Sequence, residues 1–306
     1  MKCKYPVLGL FLLLFAVCKE ASAQQGYNSL YQYFEADSTA MPGYSGVKVQ
    51  TTQTNSSRKR TNSSVSTTES LYDPSGKLVE EEQTSSISSA TLRTEFSYDS
   101  TGKINYIVRT GGKSKVEAFA QYDEQGRLSE IVYCEEGNPC QTRHYAYEED
   151  NTEYLYSSRQ VLSFGAGDKK KSEKPSGTAA WDKERYELVR ERFYDPEGRL
   201  EESRVYASDT FSVGWKFEYD AAGRKSKVWA FNSTDQKLAN DYEYDKNGRL
   251  ITENTYVWVT GNKLIPYRES EPGARHYEYD GKNRLIRTEM SGDNYDYVQE
   301  FTYYKY

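Results

Sequence analysis

Tyr242-Glu243-Tyr244-Asp245-Lys246-Asn247-Gly248-Arg249-Leu250 decides how this chain folds. Tyr242 and Tyr244 stand two apart, so in an extended strand they share one face, and aromatic residues favour strands. Glu243 between them takes the opposite, wet face. Asp245 opens a type I turn by bonding its own backbone two residues on, and Gly248 accepts the left-handed conformation that closes a hairpin. Leu250 then begins a return strand on the buried side. The stretch reads as strand, tight turn, strand.

The unit recurs along the chain. Tyr-Asp stands at Tyr72, Tyr98, Tyr122, Tyr194, Tyr219, Tyr244 and Tyr279, and Tyr147-Glu148 is a softened eighth copy. Successive tyrosines are 26, 24, 25, 47, 25, 25 and 35 residues apart, so the period is 25 with one irregular double gap and one insertion. The turn pairs are Asp73 and Gly76, Asp99 and Gly102, Asp123 and Gly126, Asp195 and Gly198, Asp220 and Gly223, and Asp245 and Gly248. In the last, Asp280 is followed by Asn283, one of the few other residues that tolerate a left-handed backbone. A basic residue and an aliphatic usually come next, as in Lys77-Leu78 and Arg199-Leu200; Arg224-Lys225 departs and predicts a poorly packed copy. Phe301-Thr302-Tyr303 reads as the first strand of a further copy. A period of this length predicts an all-β chain of stacked antiparallel hairpins.

These residues resemble the YD repeat of the Rhs family, whose units run roughly Tyr-x-Tyr-Asp-x-x-Gly-Arg-Leu, and the likeness covers residues 71–306. The resemblance implies a continuous twisted or spiralling sheet, which in long members closes into a shell around a cargo. It also implies a carbohydrate ligand, since YD repeats have been proposed to bind sugars. Eight or nine hairpins are far fewer than such a shell requires, so encapsulation is not expected, and closure of the sheet stays open. Asp195-Pro196-Glu197-Gly198 lies inside a repeat and reads as an ordinary turn, not a self-cleavage site.

Residues 1–23 read as a secretory signal peptide: Lys2 and Lys4, an apolar run of 11 residues from Val7 to Val17, then Ala21-Ser22-Ala23. Spanning a bilayer takes about 20 apolar residues. Lipidation at Cys18 is the competing reading, and bulky Val17 fits it poorly. Residues 24–70 are rich in Ser and Thr and read as a leader with irregular repeats that cap the sheet. Within them 46–54 and 64–72 have strand character, and Arg58-Lys59-Arg60 reads as a solvated turn. Residues 151–183 form an irregular insertion with a strand-like start and a basic loop at Lys169-Lys170-Lys171, and residues 261–273 read as a longer hairpin loop.

Mean hydropathy of −0.90 suggests disorder, but 29 Tyr, 11 Phe and 4 Trp in fixed register contradict it. The net charge of −6 gives no basic surface for nucleic acid. After signal removal Cys134 and Cys140 remain, flanking a turn-like stretch; in an oxidising compartment they read as a disulfide. No metal ligand set or cofactor site is expected. His144 and His276 hold matching places in Arg-His-Tyr and read as structural. The tyrosine of each Tyr-Asp reads as core; Trp215, Trp229, Tyr256 and Trp258, with Trp181, are the aromatics off that register and the candidates for a binding surface. An outer-membrane barrel is disfavoured by Glu, Lys, Ser and Arg at the alternate positions. The expectation is an exported, non-enzymatic scaffold, periplasmic, surface-bound or secreted, with a glycan or protein ligand and no transmembrane segment. The alternatives are a structural fragment of a larger Rhs-like assembly, or a carbohydrate-active enzyme whose site the sequence hides.

Overall fold

A computed structural model describes residues 30–35, 41–57, 60–112, 114–138, 140–148, 151–158, 186–266, 273–291 and 295–305. The signal segment, Trp181 and the basic loop of the insertion lie outside the described residues. A short helix, α1 (Tyr31–Glu35), is followed by β1 (Gly46–Ser57), β2 (Arg60–Tyr72), β3 (Leu78–Ser85), β4 (Ser88–Tyr98), β5 (Ile104–Gly111) and β6 (Ser114–Tyr122). Then come β7 (Leu128–Glu135), β8 (Gln141–Tyr147), β9 (Thr152–Ser158), β10 (Tyr186–Tyr194), β11 (Leu200–Ala207), β12 (Thr210–Tyr219) and β13 (Lys225–Phe231). The rest are β14 (Gln236–Tyr244), β15 (Leu250–Thr255), β16 (Val257–Thr260), β17 (Lys263–Pro266), β18 (Gly273–Tyr279), β19 (Leu285–Ser291) and β20 (Tyr295–Tyr304).

Each strand pairs antiparallel with the next, except that β15 pairs with β18 and leaves β16 and β17 to pair with each other. The last strand also pairs with the first, from Gly46 opposite Tyr304 to Asn55 opposite Tyr295. Among the described residues the result is an 18-stranded closed antiparallel barrel. The continuous twisted or spiralling sheet implied by the resemblance is therefore not the form adopted, and the question of closure that the sequence left undecided is answered by a barrel. Residues 46–72 supply two full strands instead of a cap, and the even strand count lets β1 and β20 meet antiparallel. Closure removes the exposed edge that a spiral keeps.

A bulge in each of the seven Tyr-Asp units sets the register, whereas the softened copy at Tyr147-Glu148 pairs without one. Tyr98 faces Ile104 while Ser97 faces Tyr106, which leaves Asn105 extra; the same shift falls at Tyr72, Tyr122, Tyr194, Tyr219, Tyr244 and Tyr279. Simple alternation is broken once in each of these seven hairpins, so the inward residues of β5 are Ile104, Ile107 and Arg109 rather than a strict every-second set. Lys225 shows why the departing copy still fits: its ammonium lies over the rings of Phe217 at 5.1 Å and Tyr242 at 5.7 Å.

The helix lies inside the barrel. Its segment meets Glu81 of β3, Phe96 of β4, Tyr133 of β7, Tyr145 of β8 and Arg190 of β10. On a flat sheet β3 and β10 would be about 33 Å apart, whereas five helical residues span about 7.5 Å. The wall must curl around α1 for both contacts to exist. Leu30, Tyr31 and Phe34 are buried there with Ile107, Ile131 and Leu155. A second core forms where Val257 and Leu264 of the β16–β17 hairpin pack on Val213, Val228, Ala230 and Ala239. The turn and second strand of that hairpin fall within the stretch 261–273 that reads from sequence as a longer hairpin loop, of which 267–272 lie outside the described residues. Cys134 and Cys140 are joined by a disulfide across the turn between β7 and β8.

Candidate functional site

All the Asp-x-x-Gly turns lie at one end of the barrel, because they join every second pair of an up-and-down sheet. The turns closed by arginine are wired alike, and those of Asp73 and Asp99, followed by lysine, keep the backbone bonds and take a hydroxyl from Ser75 or Thr101. In the turn of Asp245, one carboxylate oxygen accepts from the Asn247 and Arg249 amides at 2.9 Å each, and the other accepts from Arg249 Nε at 2.6 Å. Gly248 and its equivalents have positive φ, as does Asn283 at 62°. The basic residue then reaches the next hairpin. Lys77 lies over the Tyr98 ring at 4.9 Å, Arg127 over Tyr147 at 4.3 Å and Arg249 over Tyr279 at 5.1 Å. The same tyrosines bond backward: the hydroxyls of Tyr98, Tyr122, Tyr219 and Tyr244 donate to the carbonyls of Leu78, Ile104, Leu200 and Lys225 at 2.7–2.8 Å.

These bonds shape the electrostatics of the rim. Backbone and guanidinium hydrogen bonds from Arg284 hold the Asp280 carboxyl down at about 2. Burial, and then the charge of the preceding turn aspartate, raises Tyr98 and Tyr122 to about 12. Rim carboxylates stay charged and rim phenols stay neutral, each already committed to a neighbour.

Between consecutive turns lies a recess, and two of them are lined by the same eight repeat positions. One is built from Asp195, Glu197, Arg199, Glu201, Phe217, Tyr219, Asp220 and Ala221. The other has Asp99, Thr101, Lys103, Asn105, Ala120, Tyr122, Asp123 and Glu124 at those places. Glu201 and Asn105 are the extra residues of the bulges, aimed into the recess by the register shift. Asn105 Oδ1 has no hydrogen-bond partner among the described residues.

The interior holds buried charge. Glu35 of α1 accepts from Arg190 and Arg192 at 3.1 Å each and from the Tyr145 hydroxyl at 2.7 Å, with Glu153 on the far side of both arginines. Burial alone would raise the Glu35 carboxyl; the two guanidiniums outweigh it and hold it at about 2. In the other half, Glu253 accepts from the Tyr277 hydroxyl at 2.8 Å. Outward positions carry ion pairs such as Arg93–Glu80 at 2.9 Å, Lys115–Glu117 at 3.0 Å and Arg287–Glu289 at 2.9 Å. A lipid-facing wall would carry an apolar band there. No helix among the described residues is long and apolar enough to cross a membrane.

The aromatic candidates do not converge. Trp215 packs inward on the second core, whereas Trp229 points outward and donates to Glu218 at 2.6 Å. Tyr256 donates to Asp241 at 2.8 Å, and Trp258 is placed in β16 opposite Ile265. His144 lies on the outer face beside Glu130 at 3.3 Å and against the Tyr186 ring, with burial lowering its pKa; His276 is exposed. The recess residues Asn105 and Glu201 were missed, because only the bulge singles them out.

No protein-family model matches the chain, and no curated protein matches it. Among solved structures it is similar to a porin-like protein from Bacteroides uniformis, at TM-score 0.40 and 9% identity over 86% of this chain and 98% of that one. It is also similar to a TcdB2-TccC3-Cdc42 structure, at TM-score 0.32 and 13% identity over 79% of this chain. The matched part is 14% of that larger chain. A DUF1329 family protein from Desulfovibrio piger matches at TM-score 0.19 and 9% identity, over 91% of this chain and 90% of that one. These likenesses are too low to assign a function.

Proposed function

We propose that this chain is an exported, non-enzymatic YD-repeat scaffold that binds a repeating ligand, a glycan or an extended protein segment, along the turn-bearing rim of its barrel, at the cell surface or in the periplasm. The recurrence of one recess at equivalent positions of two distant repeats carries the reading. Each recess offers a carboxylate, a cation and an aromatic ring, and the recesses follow the hairpin step of about 9.6 Å, two strand spacings. Asn105 adds an acceptor with capacity to spare. The rim aspartates and tyrosines are engaged in holding the turns, which supports a scaffold over a catalyst. The charged outer wall suits an aqueous surface. Closure of β1 on β20 leaves the 18-stranded sheet, among the described residues, without a free edge for a partner sheet to extend, which weighs against an open Rhs-like fragment.

A glycan array probed with the secreted chain tests this, alongside Asn105→Ala and Glu201→Ala, which remove recess side chains and spare the turns. Saturable binding lost in the variants at unchanged melting temperature supports the rim. Binding indifferent to both substitutions places the ligand elsewhere. New reducing ends released from a bound polysaccharide would instead make the chain an enzyme.

A further inference from the structure

The interior segment Leu30–Glu35 has the properties of a bound peptide. An isolated helix of five residues is unstable in water, so its conformation is imposed by the wall. Its internal backbone bond runs from the Tyr33 amide to the Leu30 carbonyl, and side chains anchor it to the wall. Tyr31 stacks under the Arg143 guanidinium at 3.5 Å and beside Tyr133 at 5.4 Å. Tyr33 sets its ring edge-on to Phe96 and donates to Glu81 at 2.7 Å. Glu35 takes both Arg190 and Arg192. Three neighbouring positions thus read out ring, hydroxyl and carboxylate separately, which is how a peptide site acquires specificity.

We propose that this recess is a peptide-recognition site, that α1 is its built-in occupant, and that the ligand able to replace it is a short acidic aromatic peptide, two rings followed by a carboxylate. The wall strands are joined to one another by their own ladder, so the site keeps its shape when α1 leaves. Glu35 is the latch, since its loss leaves Glu153 as the one carboxylate paired with the two arginines among the described residues. This site is separate from the rim recesses and stands whatever they bind.

The test uses the full chain and a labelled, end-blocked peptide Leu-Tyr-Gln-Tyr-Phe-Glu. Fluorescence anisotropy is read on the unaltered chain, on Glu35→Gln, and on a Tyr31→Ala/Phe34→Ala double variant that loosens α1 by a different route. Amide exchange of residues 31–35 reports release of α1. Saturable binding at least tenfold tighter to both variants than to the unaltered chain is expected. Replacing the peptide's glutamate by glutamine, or adding Arg190→Gln/Arg192→Gln to Glu35→Gln, should weaken binding at least tenfold. Fast exchange of α1 without peptide binding would overturn the site. So would exchange in both variants as slow as in the unaltered chain, or binding indifferent to the peptide carboxylate.

Discussion

Gly76 and Gly198 hold the same place in two turns yet stand in different surroundings. Both have positive φ, 87° and 78°. A Cβ at Gly76 would lie 2.7 Å from Pro42 N and 2.9 Å from its Cα, where the chain crosses from the interior to β1; at Gly198 it meets nothing within 4 Å. Gly198→Ala should cost about 1–2 kcal/mol, the left-handed penalty alone. Gly76→Ala must also displace backbone, and denaturant melts should show at least about twice that loss. The turn aspartates give a pH signature. Their folded pKa values lie below the unfolded value of about 3.9, so their stabilisation is complete above that value. It is lost as pH falls through the folded values, near 2 for Asp280. Unfolding midpoints should drop between about pH 4 and pH 2, and Asp280→Asn should flatten that slope. At this scale Asp and Gly were legible, since a turn is made by neighbours in sequence. The stacking of each Arg or Lys on the next hairpin's tyrosine was not, because it needs a neighbour about 20 residues on.

Each Tyr-Asp hairpin carries a bulge beside the turn tyrosine, which changes the inward positions of its return strand. Leu250 was placed inward from sequence; Glu253, 4% exposed, is also inward because the shift moves it there. The disulfide was legible, since Cys134 and Cys140 flank a turn. Replacing both by serine removes a short closed loop, and about 2 kcal/mol should be lost, seen as a lower melting temperature with the β-type circular dichroism retained. Calorimetry with and without reductant checks the same point. The helix was not legible: Tyr31-Gln32-Tyr33-Phe34-Glu35 sits in a segment read as a polar leader. Its one signal was three aromatics in five residues where Ser and Thr otherwise dominate.

For the whole molecule, the repeat made the all-β architecture plain, and closure was hidden. No local pattern says that Gly46 will lie beside Tyr304, because a register between the two ends of a chain is set by the accumulated curl of every hairpin between them. The helix and the β16–β17 hairpin fill the space that curl encloses, and the tyrosine–cation stacks tie each hairpin to the next. Lys48 and Thr302 are opposite neighbours on the outer face of the seam. Spin labels placed on cysteines at these two positions, read by pulsed electron resonance on the monomer, measure closure directly. A closed barrel gives one narrow distance below about 20 Å, as for adjacent strands with side-chain offsets. An unrolled sheet would separate the labels by seventeen strand spacings, about 80 Å, and a distribution centred beyond about 50 Å would contradict the barrel.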